Sequence, residues 1–168
     1  MKFMRPQKGG HGVAAFAFQM NRQEMDWLLA TLKLYPLLDS TYHHITDGPA
    51  AEIQAEQQLL EEAMAQQRAD HRRKLDKFLA TPGRFRLDAP DQYRFNLTAE
   101  QMEWLLQILN DVRVGCWVKL GRPELETARR RELTGLDARH MAALEASGFF
   151  QMILLQAAKS PGEGVSPP

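Results

Sequence analysis

One segment occurs twice in this chain: Phe18–Leu29 reads FQMNRQEMDWLL and Phe95–Leu106 reads FNLTAEQMEWLL. The copies share Phe18/Phe95, Met25/Met102, Trp27/Trp104, Leu28/Leu105 and Leu29/Leu106, and they exchange Met20/Leu97 and Asp26/Glu103 for similar residues. A repeat constrains the fold because each copy is a unit that has to bury the same apolar face. The competing explanation is that amphipathic helices resemble one another by composition. The helix starts bear on that choice. Asn21 with Glu24, and Thr98 with Gln101, both have the spacing of a capping box, in which a side-chain oxygen takes the third amide and the third side chain reaches back. Each copy therefore reads as a strand running directly into a capped helix.

The strand of the first copy is Val13–Met20, with Phe16 and Phe18 at period two. Its helix turns Met25, Leu28, Leu29 and Leu32 inward, and Pro36 stops it near Leu34. The polar segment Asp39–Asp47 reads as a turn, and Pro49 after Gly48 suits the first position of a second helix ending near Ala80. Glu52, Glu56, Glu61 and Glu62 lie in the first half of that helix, and Arg68, Arg72, Arg73, Lys74 and Lys77 in the second, which complements the helix dipole. If continuous it is roughly 45 Å long. Its apolar-poor centre either protrudes into solvent or packs on a partner.

Thr81, Pro82 and Gly83 end the second helix, and Phe85–Leu87 and Tyr93–Leu97 flank a turn as a hairpin. About three short strands are expected. The third helix carries Met102, Leu105, Leu109, Val112 and Cys116 at spacings of three and four, with Leu106, Ile108, Trp117 and Leu120 widening the stripe. Gly121 and Pro123 close it, Arg122–Leu133 is a charged connector, and Thr134 or Asp137 caps the fourth helix. That helix is apolar around more than one face, through Met141, Leu144, Phe149, Met152, Ile153 and Leu155. Burial on several sides or a homodimer contact would account for it. The expected fold is α+β and predominantly helical: a single domain over residues 1–159, repeat units at 13–38 and 92–120, and a disordered tail at 160–168.

The function classes are bounded by charge and motif. Lysines and arginines balance aspartates and glutamates at 21 each, so no global field draws the chain to nucleic acid or anionic lipid. No apolar run reaches the roughly 18 to 20 residues that cross a bilayer, and the first residues lack the apolar centre of a signal peptide. A soluble cytoplasmic protein without membrane contact is expected. Lys2, Arg5 and Lys8 lie beside glycines and read as a frayed end. The single cysteine, Cys116, sits among Val114, Trp117 and Val118, a setting for an unreactive core thiol. His43, His44, His71 and His140 have no metal-ligand spacing, and no nucleophile, phosphate-loop or dinucleotide motif is visible. Neither metal nor cofactor is expected, and an interaction or regulatory protein is favoured over an enzyme.

Two groups of residues are candidates for contact with a partner. Asn110, Asp111 and Arg113 interrupt the most apolar helix, and the Arg113 guanidinium is expected at the edge of the buried face with a carboxylate or carbonyls as partner. They either cross-link helices or form a contact site. The second group is the surface of Arg68, Arg72, Arg73 and Lys74, which with Arg129–Arg131 gives two basic runs. Interleaved Asp70, Asp76, Glu126 and Glu132 make solvated helix surface the ordinary explanation. DNA binding is the alternative function.

The order strand, helix, long polar helix, strand, then EWLLQILNDVRVGCWVKLG over Glu103–Gly121 and a last apolar helix resembles a bacterial family, domain of unknown function 2017. The resemblance covers Phe3 to Ala158 and is sharpest at Leu109, Asn110, Asp111, Val112 and Arg113, followed by Leu120 and Gly121. Members sometimes carry the label of transcriptional regulator, and many are encoded near the adaptor of the Clp protease. The resemblance thus implies a role around regulated proteolysis or its control. It assigns no functional residue.

Overall fold

A computed structural model describes residues 1–4, 15–38, 51–124 and 134–159. The Asp39–Asp47 turn, Pro49, His43, His44, Arg5, Lys8, Arg129–Arg131 and the tail at 160–168 lie outside the described residues. The elements run β1 (Lys2–Met4), β2 (Ala15–Asn21), α1 (Arg22–Leu32), α2 (Ala51–Ala80), β3 (Arg86–Ala89), β4 (Gln92–Thr98), α3 (Ala99–Lys119) and α4 (Gly135–Lys159). The fold is α+β and mainly helical. Its sheet is antiparallel with four strands, in the order β1-β2-β4-β3. The additional strand is β1: Lys2, expected in a frayed arm, sits instead in ladder register opposite Gln19, with Phe3 opposite Phe18.

Both strand-helix junctions form as the sequence requires. The Asn21 side chain accepts from the Glu24 amide at 2.8 Å while Glu24 accepts from the Asn21 amide at 2.9 Å. Thr98 and Gln101 make the same reciprocal pair at 3.1 and 3.0 Å. The ladder between β2 and β4 places Phe18 opposite Phe95, the equivalent positions of the two segments. Their rings stack with centroids 5.4 Å apart, and the register sets the two strands about a local two-fold.

One face of the sheet, with Phe3, Phe18 and Phe95, meets the helices. α3 is central, with Leu105, Ile108, Leu109, Val112 and Cys116 fully buried, and it packs most extensively on α4. It ends where Gly121 takes φ +82°, a left-handed geometry that costs glycine nothing, and the Gly121 amide donates to Val118 at 2.9 Å. Trp117 departs from expectation. It is partly exposed, and its indole N–H donates to the Pro123 carbonyl at 3.0 Å. α4 is long and apolar enough by composition to cross a membrane, but in this fold its Phe150, Leu154 and Ala157 stripe is buried in the core.

α2 is one continuous helix of 30 residues, about 45 Å long at 1.5 Å per residue. Among the described residues, Leu75 and Phe78 anchor it in the core. Phe78 meets the edge of Trp104 at 5.6 Å and of Phe85 at 6.3 Å. Leu59 and Leu60, toward its other end, are exposed.

Candidate functional site

Asn110 and Asp111 lie on the side of α3 that faces α2. Between the two helices is a cleft of about 480 Å³ whose lining includes Tyr35, Arg68, His71, Gln107, Asn110 and Asp111. Arg68 Nε approaches Asp111 Oδ2 at 3.4 Å, and both side chains are largely shielded from water. An arginine from the polar centre of α2 thus reaches a carboxylate on the core helix. The stretch expected either to protrude or to bind a partner is, on this edge, packed within its own chain.

The segment after α1 closes the cleft from above. Tyr35 is buried, and its hydroxyl donates to the Arg68 carbonyl at 3.5 Å. Its own carbonyl accepts from Arg72 Nη1 at 2.6 Å. Burial, reinforced by the negative Asp111, pushes the Tyr35 phenol up to about 12. Burial also lowers the pKa of His71, with nearby Lys74 adding to the effect, so at neutral pH the cleft presents a neutral phenol and a neutral imidazole beside one ion pair. Such a set can bind a polar group through hydrogen bonds. Two residues on, Leu37 touches α3 at Gly115, where a Cβ would lie 2.9 Å from Leu37 Cβ. That contact explains a glycine in the middle of the core helix.

The remaining predicted residues are placed separately. Arg113 is exposed and points to the other flank of α3, where its Nη1 donates to Gln151 Oε1 of α4 at 3.5 Å. That acceptor is the carbonyl oxygen of a side-chain amide, and it lies on the flank away from Asp111 because 200° of helical rotation separates positions 111 and 113 at about 100° per residue. Arg72 pairs with Asp76 at 3.1 Å, Arg73 with Asp70, and Lys74 with Glu100 at 3.3 Å. These exposed pairs are worth about 0–1 kcal/mol each, but they offset the positive charge of the run. Cys116 is fully buried and its thiol is pushed up to about 11 by burial. Among the described residues no three His, Cys, Asp or Glu side chains gather as a metal site.

A second surface lies between α1 and α4. A groove of about 510 Å³ has Ala30, Ala142 and Ala146 as small residues, with Trp27 and Phe149 beside them. Trp27 is 52% exposed and Met152 50% exposed, and Phe149 and Leu155 are also in solvent. The shared tryptophans of the two segments differ in burial: Trp27 stands in solvent, whereas its twin Trp104 is 5% exposed. Local position does not separate the two, since Trp27 and Trp104 stand at the same spacing from Met25 and Leu28 and from Met102 and Leu105. Tyr35 likewise had no local signal, since only tertiary contact connects it to residue 68. No protein-family model matches the chain, and no curated protein or solved structure matches it.

Proposed function

We propose that this chain is a non-enzymatic interaction protein that associates through its α1/α4 face, with a second copy of itself as the occupant. The supporting observation is the pair of exposed aromatics Trp27 and Phe149 on a groove that includes Ala30, Ala142 and Ala146, with exposed Met152 about one turn beyond Phe149 on α4. Contiguous exposed apolar side chains mark association surfaces, and a groove between helices suits the apolar face of another helix. A two-fold interface needs a self-complementary patch. α4 has this property, because it supplies the small residues Ala142 and Ala146 and the projecting Phe149 and Met152. Arg139 and Glu145 stand on the groove at equal spacing either side of Ala142. In an antiparallel crossing at Ala142, each would meet the other's opposite charge.

The family resemblance would set this association within regulated proteolysis or its control. Cytoplasmic action belongs to the same proposal. The alternative, a DNA-binding regulator, rests on the basic runs, and the matching of Arg68, Arg72, Arg73 and Lys74 with carboxylates favours the interaction reading.

Light scattering on the purified protein tests the proposal. A dimer is expected, and Ala142→Glu, at an exposed position, should give a folded monomer with unchanged helical circular dichroism. A monomeric parent at high micromolar concentration, or a dimer indifferent to the substitution, would overturn it.

A further inference from the structure

At the other end of the molecule, the turn after α2 and the β3–β4 hairpin enclose a cleft of about 300 Å³ lined by Arg84, Arg86 and Arg94, with Asp88 as its one carboxylate. Arg86 and Arg94 are direct cross-strand neighbours. Like charges in that position repel and destabilise a sheet. Asp88 offsets part of the charge by pairing with Arg94 Nη2 at 2.9 Å, and it also accepts from Gln19 Nε2 at 3.4 Å. The same cross-strand row continues through Gln19 to Lys2, so no further carboxylate enters it from the sheet. Arg84 is held in place from two sides. Its guanidinium lies 4.3 Å over the Phe78 ring, and its Nη1 donates to the Asn96 carbonyl at 3.4 Å. The Nε groups of Arg84 and Arg94 are buried and meet no acceptor among the described residues.

We infer that this cleft is a binding site for a compact oxyanion of the phosphate class, such as inorganic phosphate or the phosphate of a small phosphomonoester. Three guanidinium groups against one carboxylate leave a local excess of positive charge that the neutral chain as a whole lacks. Planar guanidinium forks match phosphate oxygens two bonds at a time. A dianion between Arg86 and Arg94 turns their repulsion into a shared attraction. The volume, about 300 Å³, is at the lower end for ligand pockets, which leaves room for a phosphate group and a small ester attached to it. Arg84 is already fixed by the Phe78 ring, so less freedom is lost when the anion binds.

Titration calorimetry and thermal unfolding at constant ionic strength, with chloride replacing phosphate, test the site. Inorganic phosphate and a nucleoside 5′-monophosphate are the two probes. Saturable binding and a raised Tm are expected with inorganic phosphate; markedly tighter nucleotide binding would place the natural phosphate on a small ester, and equal affinity would place recognition on the phosphate alone. Arg86→Gln makes a second, opposite prediction. In phosphate-free buffer it should raise Tm by removing the cross-strand repulsion, while weakening phosphate affinity about tenfold, the equivalent of one lost charge-assisted contact. Arg73→Gln on α2 should bind phosphate as the parent does. No saturable binding by the parent, or equal binding by Arg86→Gln and the parent, would overturn the assignment.

Discussion

The two tryptophans of the repeated segment should respond to the same substitution in different ways. Trp104 is 5% exposed and its ring meets the edge of Phe78 at 5.6 Å and 82°. Trp104→Ala removes a buried indole and leaves a cavity, a change that costs about 3–5 kcal/mol, of which roughly 0.5–1.5 comes from the edge-to-face geometry. It also removes the surface on which Phe78 anchors α2, so amides along α2 should exchange faster. Trp27 is 52% exposed, and Trp27→Ala should cost about 1 kcal/mol in the monomer, near the scale of surface substitutions. Urea denaturation at dilute protein concentration, with equal slopes for both variants, reads the difference as a shift in midpoint. Costs within about 0.5 kcal/mol of each other, or a larger cost at Trp27, would refute the assignment of burial from which the numbers follow.

Leu109→Ala, at a fully buried position, should cost about 2–5 kcal/mol, and a loss under about 0.5 kcal/mol in denaturant titration would mean the inward face of α3 is misassigned. Asp111→Asn leaves a largely shielded Arg68 without its 3.4 Å partner and should cost about 1–3 kcal/mol, between the ranges for exposed and fully buried pairs; adding Arg68→Met should recover part of it, and additive costs in the double-mutant cycle would show that the pair is not coupled. Tyr35 has its phenol pushed from 10.0 up to about 12, so the folded state holds the proton more tightly than the unfolded state. Its contribution is therefore constant below pH 10 and lost as pH rises toward 12. The stability difference between parent and Tyr35→Phe should be flat below pH 10 and shrink above it, and an unchanged difference across that window would contradict the burial of the phenol.

Local patterns carried much of this fold because they depend on contacts within a turn or two of helix. The capping boxes at Asn21 and Thr98 were legible from residues three apart. The stripe Met102, Leu105, Leu109, Val112 and Cys116 was legible from its period, and all five are buried. β1 was less visible, because three residues beginning with Lys2 carry little signal until β2 offers its free edge. The boundaries of the hairpin shifted to Arg86–Ala89 and Gln92–Thr98 for a related reason: the irregular register at Asp88 belongs to the strand pair and to neither strand alone.

The candidate surfaces divide along the same line. Sequence alone determined that Asn110 and Asp111 would interrupt the apolar pattern of a helix and that carboxylates would interleave with the basic run of α2, since both are properties of a single segment. Tertiary structure decided that Asp111 meets Arg68 while Arg113 turns away to α4, because residues two apart on a helix point to nearly opposite sides. It decided which tryptophan is covered, since Phe78 of α2 packs against Trp104 and not Trp27. It also brought Arg86 opposite Arg94. Repulsion between two side chains from different strands exists only once the sheet has formed, so no reading of the linear chain shows where that charge gathers.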